Sequence, residues 1–158
     1  MNSRADRKAQ AALEYIIVVG VMLLIVTSML PVITKQAQLS KATAAIRDGA
    51  TYGAGLRALG FKASKSNYVP DGAIKIKEIG MVNNGTNGNL KSYMSRIHII
   101  APDYIKDNST YTHRVGASVC TQALRQLYYA FNGRYPGGGK IDSVNTSYYY
   151  FTCEYTFN

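Results

Sequence analysis

Residues Tyr15 to Ile33 form an unbroken run of 19 with no charged side chain. As an α-helix at about 1.5 Å per residue this run spans roughly 28 Å, close to the hydrocarbon thickness of a bilayer, so it can cross a membrane once. Its boundary is unusual. Glu14 stands at its mouth, and a charge on a membrane helix costs on the order of 2.5–3.5 kcal/mol at the centre and less near an end, so such a carboxylate has a role or a partner. Snorkelling of Glu14 to the headgroups is the plain alternative.

The residues before the run carry more information. Arg7-Lys8-Ala9 precedes Gln10-Ala11-Ala12-Leu13-Glu14-Tyr15: basic residues, a small residue, Gln, then Glu four positions on and a long apolar helix. This arrangement resembles the class III signal peptide of archaeal type IV pilin-like proteins. The resemblance covers roughly residues 4–60, with its specific part between Arg7 and Tyr15. It implies that a prepilin peptidase cuts between Ala9 and Gln10, leaving Gln10 as the new N-terminus. A secretory peptide is cut after its apolar region and discarded, whereas here the apolar helix would stay with the mature protein. The resemblance also implies that Pro31 is a helix-bending proline, and that the amine of Gln10 in one subunit meets Glu14 of its neighbour.

Pro31 removes one backbone donor and crowds the preceding turn, which predicts a kink or a loosened turn rather than an ending. Beyond it, Leu39, Ala42, Ile46, Ala50, Gly53 and Leu56 recur at three- and four-residue spacings, with Lys35, Lys41, Arg47 and Arg57 between them. A continuous helix from Gln10 to Leu59 would be about 75 Å long, too long for a small domain to hide. Ala44, Ala45, Gly49, Ala50, Gly53, Ala54 and Gly55 permit close approach of neighbouring helices or a packed sheet. Four glycines, at 49, 53, 55 and 60, each lower helicity by nearly 1 kcal/mol relative to alanine, so packing has to compensate.

After Gly60 the texture changes to strands and turns. Period-two alternation predicts strands at Ala73 to Lys77, Arg96 to Ile99, Tyr111 to Val115 and Tyr148 to Phe157. Pro70-Asp71-Gly72, Asn83-Asn84-Gly85 with Asn87-Gly88, Ala101-Pro102-Asp103 and Pro136 to Gly139 supply turns. A short helix is expected from about Ser118 to Phe131, with Leu124, Leu127, Tyr128 and Phe131 on one face. The predicted class is α+β: a leader at residues 1–9, a long N-terminal helix at 10–60 whose apolar half is 10–35, and an extracellular head at 61–158. The head is expected to be a small antiparallel sheet with one short helix.

Two cysteines fit this arrangement. In the last strand Tyr149, Phe151, Cys153, Tyr155 and Phe157 share the more apolar face, so Cys153 points inward. A bridge to Cys120 on the short helix would close a 33-residue loop and contribute roughly 3–4 kcal/mol on chain-entropy grounds, in an oxidising compartment. Two buried thiols are the alternative. His98 and His113 sit on different elements without ligand spacing, so no metal site is expected. Asn84, Asn108 and Asn145 each open an N-glycosylation triplet, the first two in predicted loops. Such triplets also arise by chance in a chain rich in Asn, Ser and Thr.

The net charge is +9, and removing residues 1–9 takes away three cations and one anion, leaving +7. That balance suits anionic lipids, acidic cell surfaces or DNA through non-specific attraction, as well as an ordinary solvated surface. No specific nucleic-acid motif is present. There is no nucleophile paired with a base, no paired carboxylates and no phosphate loop; Gly137-Gly138-Gly139-Lys140 lacks the glycine spacing and the Ser or Thr after lysine. The chain is therefore expected not to be an enzyme and to need no cofactor. The expectation is a structural subunit of an extracellular archaeal type IV pilus-like filament for adhesion or surface attachment. Its partners would be copies of itself, a prepilin peptidase, the pilus assembly machinery, the cytoplasmic membrane before assembly, and possible N-glycans. An archaellin-type motility subunit and a single-pass anchored surface binding protein are the competing expectations.

Overall fold

The computed structural model describes residues 3–60 and 72–158, with side chains from Gln10 onward. Two residues of the expected Pro70-Asp71-Gly72 turn, and the side chain of Ala9, fall outside that set. The chain divides into two compact units, residues 1–39 and 40–158. Helix α1, Ser3–Ala58, is 56 residues long and passes Pro31 without a break in its helical assignment. Around that proline the hydroxyls of Thr27, Ser28 and Thr34 donate to the carbonyls of Leu23, Ile25 and Leu30 at 2.9, 2.7 and 2.7 Å. These bonds give uncharged but polar side chains a partner within the helix itself.

In the head unit, α1 is followed by β1 (Lys75–Asn87), β2 (Leu90–Ile100), α2 (Asp103–Lys106), α3 (Ser109–Asn132), β3 (Ser143–Asn145) and β4 (Tyr149–Phe157). The sheet order is β1-β2-β4-β3. β1 and β2 form an antiparallel hairpin, and β3 runs antiparallel to β4. β2 and β4, however, pair in parallel, from Lys91 opposite Tyr149 to Ile99 opposite Phe157. The sheet is thus mixed rather than antiparallel, because the α2–α3 crossover returns the chain to the same end of the sheet. The hairpin turns at Gly88, whose φ of 59° suits glycine. The expected turn at Asn83 to Gly85 is instead an irregularity within β1, where the register shifts between Asn83 and Thr86.

The expected strand at Tyr111 to Val115 is helical. Asn108 caps α3, its Oδ1 accepting from the backbone N–H of Thr110 and Tyr111 at 3.0 and 3.2 Å. Val115 then continues the buried stripe Val119, Ala123, Leu124 and Leu127 at helical spacing. Five alternating residues could fit either period, and the cap decided it. At the other end Gly133 adopts φ 69° and its N–H donates to the Tyr129 carbonyl at 2.8 Å, a left-handed C-cap.

Ala42, Ala45, Ile46, Ala50 and Ala54 of α1 are buried, together with Ile97, Ile99, Val115, Leu124, Leu127 and Phe151. The head unit therefore begins at Ser40 and takes in the small-residue half of α1. Those small residues face a helix. A Cβ added to Gly49 would lie 2.5 Å from the Gln122 carbonyl oxygen and 2.7 Å from the Ala123 Cα, whereas one added to Gly55 meets nothing within 4 Å. Gly49→Ala should therefore destabilise the head by about 1–3 kcal/mol, less the gain in helix propensity, because backbone has to shift. Gly55→Ala should instead stabilise it by up to about 1 kcal/mol. Thermal unfolding of both variants beside the native chain checks the opposite signs.

Candidate assembly helix and head surface

From Gln10 to Ala37 every residue is exposed apart from the half-buried Gly20. Leu24 is 70% exposed, Ile16 68% and Ile33 61%. Among the described residues α1 is the helix long and apolar enough to cross a membrane, with a mean hydropathy of 2.8 over its most apolar window. Large aliphatic side chains around the whole circumference mean that water is the wrong surround for this segment: every face needs lipid or protein. Near its start the Gln10 amide donates to Glu14 Oε1 at 3.2 Å across one helical turn, and both residues are exposed.

The cysteines are brought together. Cys120 and Cys153 form a disulfide, with Cα atoms 5.6 Å apart, between the middle of α3 and β4. Parity along β4 was enough to aim Cys153 toward the helix. Cys120 lies eleven residues into α3 rather than near its start, since the helix begins at Ser109. The two histidines are not brought together as ligands: Nδ1 of His98 pairs with Thr156 Oγ1 at 2.8 Å and that of His113 with the Tyr155 hydroxyl at 3.0 Å.

Asn84, Asn108 and Asn145 are all exposed. Asn108 lies in the α2–α3 connection, and its capping bonds use Oδ1, leaving the amide nitrogen uninvolved in them. Asn84 lies within β1 rather than in a loop, at the register shift beside Gly85, whose φ is 80°. Asn145 lies in β3 opposite Tyr150.

Charge concentrates between the head half of α1 and α3. A cleft of roughly 500 Å³ is lined by Arg57, His113, Arg114, Gln122, Arg125 and Lys140. Arg57 is buried, 8% exposed. Its guanidinium is held below its ordinary pKa, first by that burial and then by the positive charge of Arg114. Arg125 donates to the Gly139 carbonyl at 3.0 Å, while its Nε is buried without a hydrogen-bond partner among the described residues. Lys140 pairs with Asp142 at 2.8 Å, which raises the lysine pKa, through the hydrogen bond first and through the charge second. The Gly137 to Lys140 segment is thus a turn whose carbonyl holds Arg125, a role no phosphate-loop pattern would suggest. Sequence spacing could not reveal this cleft, since its cations come from α1, α3 and the loop after it.

No protein family, curated protein or solved structure matches this chain.

Proposed function

We propose that the chain is a structural subunit of an extracellular, type IV pilus-like filament, polymerising through residues 10–35 of α1 for adhesion or surface attachment. The observation that carries this reading is the all-round exposure of that apolar segment beside a head unit with its own core. In the membrane the segment is covered by lipid, and in the filament by the same segment of neighbouring subunits. Both surrounds are apolar, so the exchange is close to neutral in hydrophobic terms, and small terms of packing and charge decide it. Glu14 is the one charge between Gln10 and Thr34. Once a prepilin peptidase has freed Gln10, its amine gives the carboxylate of a neighbour a partner in an apolar surround. The bridged head, with exposed Asn84, Asn108 and Asn145 available to glycans, would face outward.

Mass spectrometry of the protein from its native membrane tests processing, and electron microscopy of shed material tests polymerisation. A mature terminus at Gln10 with filaments of this subunit is the expected result, and Ala9→Leu should leave the leader attached. An intact leader on functional surface protein with no filaments would replace the proposal by a single-pass anchor.

A further inference from the structure

A second cleft adjoins the cationic one. Gln122 and Arg125 also line a second cleft of roughly 370 Å³, whose other walls include Tyr52, Gln126, Tyr135 and Gly49. Asp48 borders the same aromatic end, beside Tyr52, Gln126 and Tyr135. All of these residues belong to the head unit. We infer that these adjoining clefts, which share Gln122 and Arg125, together form a binding site for an acidic oligosaccharide, with one sugar ring at the tyrosine end and a uronate or sulfate group at the arginine end.

The aromatic end is built rather than incidental. Tyr52 and Tyr135 are each 61% exposed, so two large rings that line the same cleft face water. Tyr135 is held in place: its ring stacks on Tyr129 with centroids 4.5 Å apart and planes 14° from parallel, and its hydroxyl donates to Gln126 Oε1 at 3.0 Å. A ring fixed in this way offers a flat, apolar face at little entropic cost. The C–H face of a pyranose is the matching surface. Gln126 retains its amide nitrogen as a donor, and Asp48 supplies an acceptor, so the edge of the sugar meets both kinds of partner. A carboxylate here takes hydrogen bonds from hydroxyl groups and repels phosphate, which favours a sugar over a nucleic acid, whose backbone carries phosphates on every residue.

The other end is chemically complementary to an acid. Arg57, Arg114 and Arg125 converge on one cleft together with Lys140, which already pairs with Asp142. Guanidinium groups bind carboxylate and sulfate oxygens through paired N–H donors, and partial burial strengthens each contact. Arg125 contributes a buried Nε that no described acceptor satisfies. The two clefts together fall within the usual range for a small-ligand site. The groove therefore has a polarity, neutral sugar toward Asp48 and acidic sugar toward Arg114.

The test uses the full chain in detergent micelles, which keeps binding separate from polymerisation. Calorimetric titration would compare maltotetraose oxidised to a uronate at one terminal ring, maltotetraose sulfated at one terminal ring, maltotetraose itself and a 12-base-pair DNA duplex. At least one acidic tetrasaccharide should bind roughly tenfold or more tightly than maltotetraose, a difference that arises from the charged end alone. The uronate-ended and sulfate-ended sugars distinguish carboxylate from sulfate as the preferred group. The double variant Tyr52→Ala/Tyr135→Ala, at exposed positions where folding is least at risk, should weaken acidic-sugar binding by about tenfold or more. Arg114→Gln/Lys140→Gln should weaken the acidic sugars and leave maltotetraose unchanged. Near-UV circular dichroism confirms that each variant is folded, and Gly55→Ala serves as a neutral control. Failure of both acidic tetrasaccharides to bind would overturn the inference. So would binding that survives the tyrosine double variant while DNA binds equally well, because bulk positive charge would then account for all of it.

Discussion

Glu14→Gln is expected to leave membrane insertion and leader removal intact while filament yield falls by two orders of magnitude or more. The change keeps shape and polarity but removes the only charge between Gln10 and Thr34. If the mature amine of Gln10 pairs with Glu14 of a neighbour, removing one partner of a buried ion pair costs on the order of 3–5 kcal/mol per contact. That is a factor of roughly 10²–10⁴ in each association step, repeated at every subunit added. Insertion itself becomes easier, since an amide enters lipid at lower cost than a carboxylate. The intrahelical bond from the Gln10 amide to Glu14 Oε1 survives in kind, because the substituted side chain still presents an oxygen acceptor. Quantifying filaments by electron microscopy against cleaved subunit in the membrane separates the two steps. Normal filament yield would take Glu14 out of the assembly mechanism.

The second large effect concerns the head. Changing Cys120 and Cys153 together to Ser should lower stability by roughly 3–4 kcal/mol, the loop entropy that a 33-residue separation returns to the unfolded chain. For a head of this size each kcal/mol corresponds to about 4 °C, so the midpoint should fall by roughly 12–16 °C. The native chain should lose the same amount in strong reductant, and the double variant should not respond to reductant at all. Labelling of two free thiols in native, unreduced protein would refute the bridge as the source of that stability.

The features legible in the sequence are those that depend on near neighbours. The apolar run at Tyr15 to Ile33 and the three- and four-residue spacing beyond it specify α1, and alternation in Tyr149 to Phe157 specifies β4 and the inward face of Cys153. Where a window is short, two periods compete. Tyr111 to Val115 alternates as a strand does, and the Asn108 cap, visible in Asn108-Ser109-Thr110, was the signal for the helix that begins at Ser109. Asn83 to Gly85 looks like a turn, yet the hairpin closes at Gly88 because cross-strand pairing absorbs the earlier segment as a register shift.

What the sequence could not show is what the crossover brings together. The parallel pairing of β2 with β4 depends on where α3 returns the chain, and no local pattern encodes that direction. The groove is likewise assembled from Tyr52 and Arg57 on one helix, Arg114 and Arg125 on another and Tyr135 and Lys140 on the loop that follows. Nothing in the sequence marks any of those residues out, and even the burial of Arg57 follows from the packing rather than from its neighbours in the chain. Their meaning arises only once Gly49 and Gly53 allow the two helices to approach.

The position of β4 also fixes an order of events during folding. It lies between β2 and β3, pairing with both, although it follows both of them in the chain. Until Tyr149 to Phe157 has been delivered, the β1–β2 hairpin has an open edge, β3 has nothing to pair with, and the Cys120 thiol has no mate. Such an edge is a template for other chains, and contacts between residues so far apart in sequence form slowly. A chain made N-terminus first would therefore present its apolar helix well before its head can close. The time at which the chain becomes safe from its own neighbours is set by the arrival of β4.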